Sequence, residues 1–300
     1  MTEKKSLMQK IRQSRHSYFL MAPFMLFCFL FVILPVLISF ILSFTNFNML
    51  EWPSFVGFEN YIRMILDDKI LLIALKNTII FALLTGTVSY VLCFMLAWLI
   101  NDLGRTLRNV FTVIFYAPSM CASVYVVWTF IFSNDAHGFI NGFLMNLGFL
   151  SEPVKWLADQ NYIMTVLIIV QLWMSLGTGF LAFIAGLQGV DHGLYEAGAI
   201  DGIHNRFEEL WYITLPQMLP QLTFGAIMQI IGAFGAGQIS MALAGFPSTN
   251  YAGETVITHI IDYGTVRYEM GYACALATIL FLMMFFTQKG VVKVLSKIGG

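Results

Sequence analysis

A chain of 300 residues, 58% hydrophobic and only 11% charged, does not fit an ordinary soluble domain, in which about a quarter of residues carry charge. The net charge of −1 excludes the basic balance of a nucleic-acid-binding protein. Cys28, Cys93, Cys121 and Cys274 form no CxxC pair and are read as apolar packing residues.

The chain begins with a basic segment, 1–18, carrying Lys4, Lys5, Lys10, Arg12 and Arg15. An uncharged run at 19–44 follows. It is too long for the apolar core of a signal peptide and lacks a small-residue cleavage pattern, so a permanent helix is expected. Pro23 and Pro35 bend such a helix without preventing insertion. Further runs free of Asp, Glu, Lys and Arg lie at 77–101, 110–134, 161–190, 212–253 and 270–288. A helix needs about 20 apolar residues to cross a membrane. Continuous apolar runs also lack the alternation of a membrane barrel. The expected architecture is all-α, with six transmembrane helices in a domain over 19–293 and the fifth helix near 219–244.

Six spans place both termini on one side. Lys289, Lys293 and Lys297 follow the last run, and Arg105 and Arg108 occupy the short link after the second. Lys and Arg mark cytoplasmic segments, so both termini are expected in the cytoplasm. The link at 191–217 then also faces the cytoplasm, yet Asp191, Glu196, Asp201, Glu208 and Glu209 are balanced there only by Arg206. Such a loop gains nothing from an anionic lipid surface and suits a protein partner. Its residues predict two short helices around a corner. Asp191 caps the first, with Glu196 near its positive end. Gly202 ends it. Asn205 starts the second, with Glu208 completing a capping box, and Phe207, Leu210, Trp211 and Thr214 line one face. Pro216 leads into the fifth span, with Pro220 one turn later.

Glu196-Ala197-Gly198, then Gly202, then Ile213-Thr214-Leu215-Pro216 resembles the EAA loop of ATP-binding-cassette importer permeases, and "YEAGAIDG…ITLP" looks most like their carbohydrate branch, usually worded close to "YEAAxIDGA…ITLP". Gly198 stands for the usual second Ala, and the spacer before Ile213 is one residue longer. The segment at 19–44, "VGFENY" at 56–61 and "GYACALATILF" are also similar to that family. The resemblance implies a type I importer fold paired with a second homologous permease subunit, two cytoplasmic ATPases that bind ATP and magnesium, and an extracytoplasmic solute-binding protein. It implies that Glu196, Ala197, Gly198, Asp201, Gly202, Ile213, Leu215 and Pro216 couple the pore to an ATPase. This chain has no phosphate loop of its own, no catalytic constellation and no metal-ligand cluster; its histidines, His259 included, read as loop residues. The alternatives are an ion-coupled carrier, a membrane scaffold or enzyme, or a glycerol-phosphate or polyol permease.

A neutral sugar needs amides, hydroxyls and aromatic faces. Gln171, Ser175 and Thr178 fall on one face of a continuous fourth helix, a polar stripe that must meet protein or a water-filled path. Gln238 in the fifth span, with Tyr125 and Trp128 in the third, completes the candidate substrate set. Gly232 and Gly235 are expected to allow close helix approach. Val256, Ile257, Ile260 and Ile261 predict an external helix lying on the outer rim.

Overall fold

The computed structural model describes residues 15–121 and 124–297. Lys4, Lys5, Lys10 and Arg12 lie outside the described residues. Apart from one isolated bridge between Thr45 and Phe55, the described secondary structure is helical.

Helix α1 runs Arg15–Cys28, widens to a π turn at Phe29–Ile33 and continues through Leu34–Leu42. In that turn the Leu34 N–H donates to Phe29 O, and Pro35, which has no N–H to offer, follows at once. The 56–61 segment ties down the end of α1. Asn60, in α2 (Glu59–Leu66), donates to the carbonyls of Ser43 and Thr45 at 2.8 Å each, and Tyr61 OH lies 2.7 Å from Ser43 Oγ. The two Asn60 bonds satisfy carbonyls at and just past the C-terminus of α1.

Asp68 caps α3 (Lys69–Asn101) by accepting from Leu71 N–H at 2.9 Å, so Lys69 and Lys76 lie within its first turns rather than in a loop. The third uncharged run is two helices, α4 (Arg105–Met120) and α5 (Val124–Ile131), with axes 86° apart. A short helix, α6 (Phe139–Asn146), precedes α7 (Gln160–Met174) and α8 (Thr178–Gly189). The loop helices α9 (His192–Ile200) and α10 follow. α10 begins at Arg206–Glu209, passes through a π turn at Leu210–Thr214 and ends at Leu215–Gln217. Then come α11 (Leu219–Phe234), α12 (Gly237–Ala244), α13 (Val256–Ile261) and α14 (Met270–Leu295). Four stretches, one of them α7 and α8 taken together, are long and apolar enough to cross a membrane; the bent pairs α4–α5 and α11–α12 raise the number to six if each counts as one span.

At the centre, α3, α8 and α11 pack on one another. Small residues bring α8 and α11 together: a Cβ on Gly179 would lie 3.5 Å from Gly225 Cα, and one on Gly225 would lie 2.4 Å from Phe183 Cζ. Gly232, by contrast, faces open space, and Gly235 closes the end of α11. Close approach therefore belongs to other glycines than the expected pair. Gln229 fastens the same junction. Its Oε1 accepts from Ser89 Oγ at 2.9 Å, and its Nε2 donates to Ser175 O and Cys93 Sγ, each at 3.1 Å. A buried amide so satisfied joins three helices at little desolvation cost. α1 stands apart, with no buried residue from Phe29 to Leu42, and packs along α14.

Two further expectations are corrected. α13 does not lie on the rim: Val256, Thr258 and His259 are buried, and the helix is wedged among α3, α12 and α14. Its polar groups are satisfied by a capping box of Thr255 and Thr258, by Thr78 Oγ1, which accepts from Val256 N–H at 2.9 Å, and by Asp68 on His259, so both faces can be covered. The fourth uncharged run breaks at Ser175–Gly177, between α7 and α8. Gln171, Ser175 and Thr178 thus do not continue along one helical face.

Candidate functional site

The two short helices of the 191–217 loop form as their end signals dictate. Gly193 N–H donates to Asp191 Oδ1 at 3.0 Å, capping α9. At the other end Ile203 N–H donates to Gly198 O at 2.9 Å and Gly202 N–H to Ala199 O at 3.4 Å, with Gly202 at φ +94°. This bond pair and left-handed residue make a Schellman ending, which glycine adopts without strain. Glu208 N–H donates to Asn205 Oδ1 at 2.8 Å; the Glu208 carboxylate in turn accepts from Asn205 Nδ2 at 2.8 Å and His204 N–H at 3.1 Å.

α10 widens into a π turn at its middle. Leu215 N–H donates to Leu210 O, five residues back, and Thr214 Oγ1 donates to Glu209 O at 3.2 Å. Ile213 and Thr214 point inward, while Phe207, Trp211 and Tyr212 are exposed, so the expected stripe through Phe207 and Trp211 is not the packed one. Tyr195 OH and Thr214 Oγ1 lie 2.9 Å apart across the two helices. A Cβ on Gly198 would sit 2.7 Å from Ile213 Cδ1 and 3.2 Å from Ile203 Cδ1. Gly in place of the usual Ala thus matches Ile203 in place of a smaller residue.

Of the eight predicted loop residues, Gly198, Ile213, Leu215 and Pro216 hold the corner from inside, and Glu196, Ala197, Asp201 and Gly202 are exposed. Ile200, not singled out from sequence, is 87% exposed one turn beyond Glu196. An isolated isoleucine so displayed beside carboxylates offers both apolar area and charge to a partner. The loop is braced to the bundle by an ion pair between Arg206 and Asp102, the C-cap of α3.

The substrate candidates divide. Tyr125 and Trp128 pack beside Ala236 and Ile239 of the α11–α12 region, with the exposed Gln238 on the same helix as Ile239. The Trp128 ring centroid lies 5.3 Å from that of Trp173 and 5.7 Å from that of Phe132, and its buried indole N–H has no partner among the described residues. Trp173, 41% exposed, is an aromatic wall outside the set expected from the sequence. Ser175 Oγ donates to Leu172 O at 2.6 Å, which commits this hydroxyl to the local turn. Gln171 is half-buried and Thr178 exposed.

A second polar centre has no local sequence signal. The Asp68 carboxylate accepts from His259 Nε2 and Tyr272 OH at 2.7 Å each, with the Asp68 and His259 side chains 4% and 1% exposed. Arg63 lies over the Tyr272 ring at 4.6 Å and pairs with Glu269. Burial pushes the Asp68 pKa up, but the bonds from His259, Tyr272 and Leu71 N–H outweigh it and hold the pKa at about 2. A carboxylate depressed in the folded state stabilises it above its unfolded pKa near 4 and loses that contribution as pH falls through about 2. Asp68→Asn keeps the helix cap and removes the charge. It is expected to cost about 2 kcal/mol at neutral pH. Thermal unfolding in detergent should therefore separate variant from wild type at pH 7 and converge towards acid; equal stability at pH 7 would contradict the assignment.

Residues 89–292 match a protein-family model described as binding-protein-dependent transport system inner membrane component. The arabinooligosaccharides transport system permease protein AraP of Bacillus subtilis is 30% identical over 269 residues, covering 89% of this chain and 84% of the relative. A chain of a bacterial ABC transporter involved in importing the acidic polysaccharide alginate superposes with a TM-score of 0.75 at 20% identity, covering 96% of this chain and 99% of that one. The alginate transporter in complex with its alginate pentasaccharide-bound periplasmic protein gives 0.69 at 20% identity, covering 94% and 96%.

Proposed function

Because the chain belongs to the family of binding-protein-dependent transport system inner membrane components, we propose that it is the permease subunit of an ATP-driven oligosaccharide importer, forming half of a pore with a second homologous subunit. It is a transport component and not an enzyme. Both termini and the 191–217 loop face the cytoplasm. There α9 seats on an ATPase subunit that binds ATP and magnesium, while the opposite face receives a solute-binding protein; the alginate transporter of similar fold is in complex with a periplasmic protein. The observation that carries this reading is the stiff, exposed α9: capped at Asp191, closed at Gly202, and held from behind by Ile213 and by the Tyr195–Thr214 bond. A helix fixed at both ends passes a push from a partner into α8 directly and into α11 through α10.

An oligosaccharide fits the substrate side. Tyr125, Trp128 and Trp173 offer aromatic faces for sugar C–H surfaces, and Gln171, Thr178 and Gln238 offer amide and hydroxyl groups. The uncharged runs bring no cation for an anionic cargo. Reconstituting the complex in proteoliposomes tests the whole reading. Uptake of labelled oligosaccharide should require ATP and binding protein; uptake by this chain alone under an ion gradient would replace the proposal with an ion-coupled carrier.

Gly202→Pro tests the corner. Proline fixes φ near −65°, incompatible with the observed +94°. Coupled uptake should fall at least about tenfold, as for a strain of 1–3 kcal/mol placed on the docking helix, with normal membrane insertion. Gly202→Asn, which tolerates a left-handed conformation, should retain most transport. Wild-type uptake by Gly202→Pro would contradict the coupling role.

A further inference from the structure

A cleft of about 430 Å³ separates the 191–217 loop from the ends of α3, α4 and α8. Its size suits a small ligand. Trp98, Asn101, Arg108, Tyr195 and Glu209 line it, together with the Arg206–Asp102 pair. That pair neutralises itself, which leaves one cation and one anion to account for. The Arg108 guanidinium makes a single hydrogen bond among the described residues, a long one of 3.4 Å to Asn101 O, and its buried Nε has no partner. The buried Asn101 Oδ1 is likewise unpartnered. The Glu209 carboxylate has no ion pair among the described residues.

We propose that this cleft binds a zwitterionic phosphoester, the phosphoethanolamine headgroup of a membrane lipid, with the phosphate on Arg108 and the ammonium on Glu209. A guanidinium short of acceptors recognises phosphate oxygens through charge-assisted bonds. A carboxylate on the opposite wall disfavours a purely anionic headgroup and favours one that carries its own positive charge. The lipid source follows from position. The cleft opens where α3 and α4 end, beside Trp98, and the flanking Leu99 and Leu107 are 56% and 55% exposed. Trp is enriched at membrane interfaces, and polar pockets between helix ends on the cytoplasmic side hold headgroups. Bound there, the lipid fills the gap behind the docking loop and sets its height over the membrane.

The inference rests on the loop's cytoplasmic placement but not on the ATPase. Lipid retention is read without nucleotide, so a complex that keeps the lipid yet shows no coupled ATP hydrolysis separates the two readings. The full chain, purified in its complex from nanodiscs containing phosphatidylethanolamine and phosphatidylglycerol in equal amounts, is examined by native mass spectrometry. One phosphatidylethanolamine per copy should be retained in preference to phosphatidylglycerol. Arg108→Gln and Glu209→Gln should each lower its retention about tenfold, as for one lost charge-assisted bond, while Arg108→Lys keeps more of it than Arg108→Gln. Equal retention of the two lipids, or unchanged retention in both glutamine variants, overturns the proposal. A photoactivatable phosphatidylethanolamine on the wild-type complex guards against variants that fail to fold: crosslinks should map to 98–108 and 188–210, and their absence there also overturns it. In a separate arm, soluble phosphoethanolamine is titrated into lipid-stripped complex; binding of that compound with no lipid retained would assign the cleft to a soluble phosphoester and reject the lipid source.

Discussion

Ile200→Asp is expected, under the proposed docking of α9, to release the ATPase from the purified complex and abolish ATP-driven uptake, while the chain still inserts and still pairs with the proposed second subunit. Ile200 is 87% exposed at the end of α9 and touches no core cluster, so its replacement leaves the bundle intact. Its value lies in what it would bury. An apolar anchor at the centre of an interface typically contributes about 2–4 kcal/mol, or roughly 30-fold to 1000-fold in affinity. An added carboxylate beside Glu196 and Asp201 makes the loss larger through like-charge repulsion. Glu196→Gln should act differently, slowing association and weakening its salt dependence, because a rim charge steers more than it binds. Quantitative pull-down of the ATPase with each variant distinguishes the two. Full recovery of ATPase with Ile200→Asp would remove α9 from the interface.

The second large effect is expected inside the bundle. Gly225→Val should lower the unfolding temperature so far that little folded complex is recovered. A Cβ on Gly225 would lie 2.4 and 2.5 Å from Phe183 Cζ and Cε1. The ring has nowhere to move: it is fully buried, with Tyr90 and Phe94 set edge-on against it at 5.4 and 5.6 Å. Overpacking of one methyl costs about 1–3 kcal/mol in a dense core, and a branched side chain exceeds that. Phe183→Leu opens space on the same contact, so the double variant should recover part of the loss, whereas independent effects would add. Thermal unfolding of both single variants and the double variant measures this coupling. Additive losses would show that the α8–α11 crossing is not set by that contact.

What the sequence made legible was local chemistry. Asp191, Gly202 and Asn205 do what short-range rules assign, because a cap needs only its own turn. The helical membrane class follows from the uncharged runs for a similar reason. What stayed hidden depended on neighbours distant in the chain. The π turn at Leu210–Thr214 sets Ile213 against Gly198 and follows Arg206, which pairs with Asp102, and no residue type within the segment announces it. The break at Ser175–Gly177 is masked because hydropathy does not change across it; the succession Ser-Leu-Gly-Thr-Gly was the available hint. His259 and Asp68 are 191 residues apart, so nothing nearby marks their bond. A histidine within the apolar "VITHII" of α13 was the one sign that this helix belonged inside.

The length of α3 has a mechanical consequence. Its 33 residues form one uninterrupted rod, about 50 Å long at 1.5 Å per residue, against a hydrocarbon slab of about 30 Å. Leaning within the usual range of about 0–40° takes up only part of the surplus, so the outer turns bearing Lys69 and Lys76 stand in water. The rod joins the Asp68 centre at one tip to the Asp102 brace at the other, and any change of slant reaches both together. Turnover should therefore vary with acyl-chain length, with an optimum thickness on either side of which the rod lies at the wrong angle.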